Sequence, residues 1–258
     1  MRTYLVTGSA SGIGQATAEL LIGRGDTVIT ADRADAAIVA DLSTDAGRRH
    51  LVDEAARLAP EGLDGVIAVA GIPFPVPATI AVNYFGMITT LEGLRPLLLR
   101  SAAPRAVGVS SMASLWPFDE DLVTLQLAGD EPAALRRADE LAQTEEGGQL
   151  IYPSSKVAFS RWLRRSAIVS DWAGSGIPLN AVAPGTVVTG FTRDTLATDE
   201  GREMLERMVP MPLAGPAPAA APAHLLAWLA GAENTHVTGQ VVFIDGGNDA
   251  TLRGDSTW

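Results

Sequence analysis

The chain opens with a β-rich run, Thr3-Tyr4-Leu5-Val6-Thr7. The run breaks into Gly8-Ser9-Ala10-Ser11-Gly12-Ile13-Gly14 and passes into a helical pattern with apolar Ala16, Leu20 and Leu21 up to Gly23. A strand, a loop of small residues and a helix, in that order, leave few folds open. Small residues let the backbone approach a pyrophosphate, and a helix N-terminus supplies unpaired N–H groups and the positive end of a dipole. The plainer reading is an ordinary strand-to-helix turn. The strand before and the helix after favour the phosphate loop, with Gly8, Ser11, Gly12, Ile13 and Gly14 as its candidates.

The rest of the chain repeats the alternation. Thr27–Ala31 reads as a second strand, Ile38–Ala40 as a short third and Gly65–Val69 as a fourth. Arg105–Ser110, Pro178–Val182 and Val241–Ile244 supply three more. The unbroken apolar run Gly65-Val66-Ile67-Ala68-Val69 marks a strand buried on both faces of a parallel sheet. The segment from Asp45 to Leu58 has helical spacing, and another helix begins near Ala81 and carries Asn83. These signals predict one α/β domain over residues 1–258, a doubly wound, seven-stranded parallel sheet with helices on both faces. Ligands of such sheets lie beyond the carboxyl ends of the strands, where the motif residues fall.

Asp32 closes the second strand, 24 positions after Gly8. A dinucleotide fold places a carboxylate there on the adenosine ribose, where it accepts from both hydroxyls and repels a 2′-phosphate. NAD is therefore the expected cofactor. Arg33 beside it is the feature that would tolerate NADP. Ala70-Gly71, after the fourth strand, is small enough for a cofactor to lie against.

Tyr152 and Lys156 stand four apart in Ile151-Tyr152-Pro153-Ser154-Ser155-Lys156, one turn from each other on one helix face. A phenol is a poor base at neutral pH, and a nearby ammonium favours its phenolate. Pro153 reads as a first-turn residue, where its missing N–H costs nothing.

Composition excludes other classes. A net charge of −11 argues against nucleic acid and anionic membranes as partners. The chain has no cysteine, and its three histidines, His50, His224 and His236, are too scattered for a metal site. No apolar run reaches the length of a membrane helix. The first residues enter a strand directly instead of forming a signal peptide, so a cytoplasmic protein is expected.

Taken together, Thr7-Gly8-x-x-x-Gly12-x-Gly14, Asn83, Ser111, Tyr152-x-x-x-Lys156, Pro184-Gly185-x-x-x-Thr189 and Asp245-Gly246-Gly247 resemble the short-chain dehydrogenase/reductase superfamily over nearly the whole chain. The resemblance implies that Tyr152 is the general acid/base and that Ser111 holds the substrate oxygen. It implies that Lys156 lowers the Tyr pKa and holds the nicotinamide ribose, and that Asn83 holds a water in a proton relay. Thr189 and the backbone of Val187 would face the nicotinamide carboxamide, and Asp41 and Leu42 would border the adenine. Where the family often has Asn-Asn-Ala-Gly after its fourth strand, this chain has Ala68-Val69-Ala70-Gly71, which predicts altered hydrogen bonding at that strand end.

Ser111 and Tyr152 are 41 residues apart, and the segment 117–149 between them reads as a helical insertion. It is similar to that of the bacterial 3α-hydroxysteroid dehydrogenase/carbonyl reductase group, which includes enzymes of the coniferyl-alcohol dehydrogenase type. The likeness implies a small hydrophobic alcohol or ketone as substrate, and a homodimer with a tetramer as the alternative. Residues 189–212 match the family's substrate lid, with Met204 and Met208 as candidate substrate contacts and Trp116 as a third. The Pro/Ala stretch from Pro210 to Pro222 reads as a tether between this lid and the next helix. A non-catalytic dinucleotide sensor and an NAD-retaining isomerase or lyase on the same fold are the rival classes.

Overall fold

The computed structural model describes residues 1–256. Strands β1 (Thr3–Thr7), β2 (Thr27–Asp32), β3 (Ile38–Val39), β4 (Gly65–Ala68), β5 (Arg105–Val109) and β6 (Leu179–Pro184) carry most of the main sheet. The short β7 (Val187–Val188) and β8 (Ala217–Pro218) pair with each other, and β9 (Val241–Ile244) completes the main sheet. Its seven strands run parallel in the order β3-β2-β1-β4-β5-β6-β9. The chain winds outward from β1 in one direction, then restarts at β4 and winds in the other. The two halves part between β1 and β4, which is where such a sheet opens a crevice at its carboxyl edge.

Successive side chains of a strand point to opposite faces, and two cores follow from that alternation. Leu5, Val66 and Ala106 pack into one core with helices α2 (Asp45–Leu58), α4 (Met87–Leu98) and α7 (Glu145–Ser166). Tyr4, Val6, Ile67 and Val107 pack into the other with α1 (Gly12–Gly23) and α10 (Ala220–Leu229). Leu51, Leu91, Leu94 and Leu163 are fully buried, each contributing roughly 1.5–3 kcal/mol.

Ahead of α4, α3 (Pro77–Ile80) runs into a π-helical turn, Ala81–Gly86. The helix therefore starts before Ala81, and Pro77 in its first turn is the signal for that start. Segment 117–149 folds as α5 (Glu120–Leu127), α6 (Glu131–Leu141) and the first turn of α7. Each start is capped: Asp119 accepts from the Leu122 amide, Asp130 from Ala133 and Thr144 from Gly147. The segment is built into the main core, because Leu122, Val123, Ala134 and Ala138 are fully buried in it.

Two local readings are corrected. Pro153 lies inside the 22-residue helix α7, well past its first turn. The Thr144 cap and the acidic pair Glu145-Glu146 start the helix two turns earlier than Pro153 would signal. The stretch from Pro210 to Pro222 is also no plain tether. Ala217–Pro218 forms β8, and α10 begins at Ala220, ahead of Pro222. Short helices α8 (Arg193–Leu196) and α9 (Asp199–Met208) occupy the lid segment, and α11 (Asn248–Arg253) follows β9.

Candidate active site

A cleft of about 690 Å³ opens at the carboxyl ends of β1, β2, β4, β5 and β6. Its floor is the glycine loop. Gly8 has φ +67°, and a Cβ there would come within 2.9 Å of the Ala70 amide. A Cβ on Gly14 would stand 2.0 Å from the Gly8 carbonyl, so α1 meets the strand end at a distance only glycine allows. Ser11 takes the cap position of α1 without a side-chain cap bond, and no acidic residue occupies the first turn. The first amides and the dipole of α1 are thus open to an anion. Ser11, Gly12, Ile13 and Gly14 all line the cleft.

On the β2 side, the Asp32 carboxylate accepts from the Ala10 amide at 2.9 Å and from the Arg33 amide at 2.6 Å. Two backbone donors hold it at the rim, with the exposed Arg33 side chain next to it. Further along that wall, Asp41 accepts from both the amide and the hydroxyl of Ser43, and these bonds hold its carboxyl below the usual carboxylate range. Leu42 lines the same wall. At the β4 end, the Thr7 hydroxyl accepts from the Val69 and Ala70 amides at 3.0 and 3.1 Å. One β1 side chain thereby satisfies both strand-end donors, leaving Ala70 and Gly71 flat against the cleft.

Ser111, Tyr152 and Lys156 converge at the other end. Ser111 follows β5 and caps a short 3-10 turn, Met112–Leu115, its Oγ accepting from the Ala113 amide at 3.1 Å. The hydroxyl proton is left free to point at the Tyr152 phenol or a ligand. Burial pushes the Tyr152 pKa up, and its hydrogen bond with Ser111 opposes that rise. Lys156 is 3% exposed, its Nζ donating to the Val109 carbonyl at 2.9 Å and standing 5.6 Å from the Tyr152 ring centroid. Burial lowers its pKa to about 8. The loss of solvent around the phenol is the larger effect, so its net shift is upward.

Pro184, Gly185, Val187 and Thr189 form the wall opposite the glycine loop. The Thr189 methyl carbon lies 3.2 Å from where a Gly12 Cβ would sit, so the two walls nearly meet.

Three proposed side chains lie outside the cleft lining. Asn83 is fully buried in the π turn, where its Oδ1 accepts from the Ile72 amide at 2.8 Å. Its Nδ2 donates to the Ile72 carbonyl at 2.9 Å and the Ser155 hydroxyl at 3.2 Å. The carboxamide thus staples the loop after β4 to α7. Trp116 packs instead with Met112, Ala113, Val209 and Met211, the small core that also touches Tyr152. Met204 lines the cleft, whereas Met208 is 47% exposed and turned away. A four-residue step keeps nearly the same helix face but carries the side chain about 6 Å along α9, past the edge of the cleft. Ile72 and Pro73 line the cleft without having been singled out from sequence. The Pro73 and Pro75 pair after Gly71 was the available signal of a rigid wall there.

A sheet that opens at its switch point, a glycine-floored anion site and a convergent Ser-Tyr-Lys set define a nucleotide-binding oxidoreductase fold. Residues 2–122 match the family model for short chain dehydrogenases, and residues 140–249 match one described as enoyl-(acyl carrier protein) reductase. The chain is 33% identical to the 3-alpha-hydroxysteroid dehydrogenase/carbonyl reductase of Comamonas testosteroni, covering 98% of both chains. It is 30% identical to the coniferyl-alcohol dehydrogenase of Pseudomonas sp. (strain HR199 / DSM 7063), covering 97% of both. The crystal structure of 3-alpha-hydroxysteroid dehydrogenase from Pseudomonas sp. B-0831, complexed with NADH, superimposes with a TM-score of 0.89. That match has 38% identity and covers 98% of this chain and 99% of the other. The chain belongs to the short-chain dehydrogenase/reductase family. Among the described residues, no helix is long and apolar enough to cross a membrane.

Proposed function

We propose that this protein is an NAD(H)-dependent oxidoreductase that interconverts a secondary alcohol and a ketone on a hydrophobic, ring-bearing substrate. One observation carries the reading: Ser111, Tyr152 and Lys156 share a single cleft with the amide-held carboxylate of Asp32. The residues fit the cofactor. The glycine-only contact at Gly14 and the uncapped start of α1 suit a pyrophosphate, and the Asp32 carboxylate suits an unphosphorylated ribose.

When bound, a nicotinamide dinucleotide supplies the hydride acceptor or donor. The chain's own residues supply the rest. Ser111, whose oxygen already accepts from Ala113, turns its proton toward the substrate oxygen. Tyr152, held protonated by burial, donates that proton to a carbonyl oxygen during reduction and takes it from the hydroxyl during oxidation. Lys156 holds the nicotinamide ribose and, with its low pKa, passes a proton to or from the phenol. Asn83 positions this set through Ile72 and Ser155. Ile72, Pro73, Phe191, Met204 and Leu205 give the substrate end apolar walls. The hydroxysteroid and coniferyl-alcohol enzymes it is similar to act on ring-bearing alcohols, in line with those walls.

The test is the rise of reduced-nicotinamide absorbance with steroid 3-alcohols, coniferyl-type aryl alcohols and simple cyclic secondary alcohols, each with NAD and with NADP. Turnover with NAD on a ring-bearing secondary alcohol is expected. Turnover with NADP alone would overturn the cofactor assignment. NAD binding with no turnover across the panel would overturn the substrate class and favour a dinucleotide sensor.

A further inference from the structure

The side chain of Arg48, in the first turns of α2, is 4% exposed, although its neighbours Arg49 and His50 face solvent. All three nitrogens of its guanidinium donate. Nε donates to the Leu42 carbonyl at 2.8 Å, and Nη2 donates to the Ser43 and Ala81 carbonyls, both at 3.3 Å. Nη1 and Nη2 meet the two carboxylate oxygens of Glu131 at 2.7 and 2.5 Å. Glu131 lies 83 residues away, in the first turn of insertion helix α6, beside the Asp130 cap and Pro132. Such a bidentate fork fixes orientation as well as charge. Leu42 and Ser43 line the cleft on the side bordered by Asp41. Ala81 opens the π turn that holds Asn83, and Gly86 at the end of that turn abuts the Leu42 carbonyl. Glu131 also falls in residues 123–139, which neither family match covers.

We propose that Arg48 is a positioning residue through which the insertion shapes the cofactor site: Glu131 aims the guanidinium, and the guanidinium fixes the Leu42-Ser43 wall where the adenine half binds. The insertion is then a component of the cofactor cleft as well as an added outer layer. This inference rests on the dinucleotide reading above. It differs from a plain stabilising ion pair in predicting a loss confined to one half of the cofactor. Tyr152, Lys156 and Thr189, which would hold the nicotinamide end, make no hydrogen bond with Arg48.

The experiment is calorimetric titration of the full-length wild type, Glu131→Gln and Arg48→Lys with NADH, ADP-ribose and nicotinamide mononucleotide, with a melting curve for each protein. Glu131→Gln keeps the shape of a partly exposed side chain, so it tests the proposal even if Arg48→Lys fails to fold. Both variants are expected to bind NADH and ADP-ribose about tenfold more weakly, the scale of one charge-assisted hydrogen bond. Nicotinamide mononucleotide should bind as it does to wild type. Folded Glu131→Gln with unchanged ADP-ribose affinity, or with equal losses for both half-ligands, would overturn the proposal. A wild type that binds neither NADH nor ADP-ribose would overturn the cofactor reading itself, and this inference with it.

Discussion

Lys156 Nζ donates to the Val109 carbonyl at 2.9 Å, while the same ammonium stands 5.6 Å from the Tyr152 ring centroid. The bond ties α7 to the last residue of β5, two residues before Ser111. Three residues distant in sequence are thus indexed against one strand end. Burial acts on two of them in opposite ways, pushing the phenol up and the ammonium down. Both shifts favour the neutral forms.

Removing the phenol oxygen separates chemistry from binding. Tyr152→Phe should keep NADH affinity within about twofold and lower kcat by about 10²–10⁴-fold, the usual worth of a positioned general acid/base. Steady-state kinetics alongside NADH titration check it. Turnover near the wild-type rate would refute the assignment.

Coenzyme preference is read from Asp32→Ala. Its carboxylate is held by the Ala10 and Arg33 amides at an exposed rim, so its loss leaves no buried donor unpaired. NADH affinity should fall by about 10–100-fold, with little change in melting temperature. Unchanged NADH affinity, with NADPH bound as well or better, would hand the site to Arg33.

Lys156 makes stability depend on pH. Its pKa is lowered to about 8 from an ordinary 10.5, so between those values the unfolded chain holds a proton that the folded chain has lost. Stability rises with pH wherever the unfolded state binds more protons. The cost of burying the ammonium is therefore fully present below pH 8 and fades toward 10.5, with a total on the order of 3 kcal/mol. Tyr4, Tyr84 and Tyr152 work against the rise above their ordinary value of 10.0, so the comparison is best made below it. Denaturant melts of wild type and Lys156→Met from pH 7.5 to 10, a range set by those pKa values, should converge or cross as wild type gains. Parallel curves would count against a buried ammonium.

Gln126, fully buried in α5, has neither amide atom in a hydrogen bond. An apolar side chain of similar length removes that desolvation cost. Gln126→Met should stabilise the protein by about 1–3 kcal/mol, measured as a rise in melting temperature with unchanged NADH affinity. A fall in melting temperature would show that the amide is satisfied in solution.

The sheet and the cofactor wall were legible because each signal is local. Strand Gly65–Val69 is apolar throughout, the glycine loop follows its strand directly, and Asp32 ends its own. The side chains that escaped are those whose role depends on distant partners. Nothing local to Asn83 shows that the π turn delivers its carboxamide to Ile72 and Ser155. Trp116 and Met208 look like pocket residues by composition, but packing draws the first into a small core and the rise along α9 carries the second past the cleft edge. Pro153 suggested a helix start because proline is favoured there, and the Thr144 cap overrode it from further upstream. The Arg48 and Glu131 pair spans 83 residues and leaves no periodic trace.

Helix α7 runs unbroken from Glu145, inside the insertion, through Tyr152 and Lys156 to Ser166. Each residue added to or removed from a continuous helix turns everything beyond it by about 100°. A single deletion between Glu145 and Tyr152 would swing the phenol off the cleft or drag α5 and α6 round the barrel of the helix. Changes in length are therefore confined to the joints at Ala128–Asp130 and Ala142–Thr144, where the chain is not yet committed to a helical phase. The insertion is free to lengthen at its corners, and the gearing between those corners and the reacting oxygen is fixed.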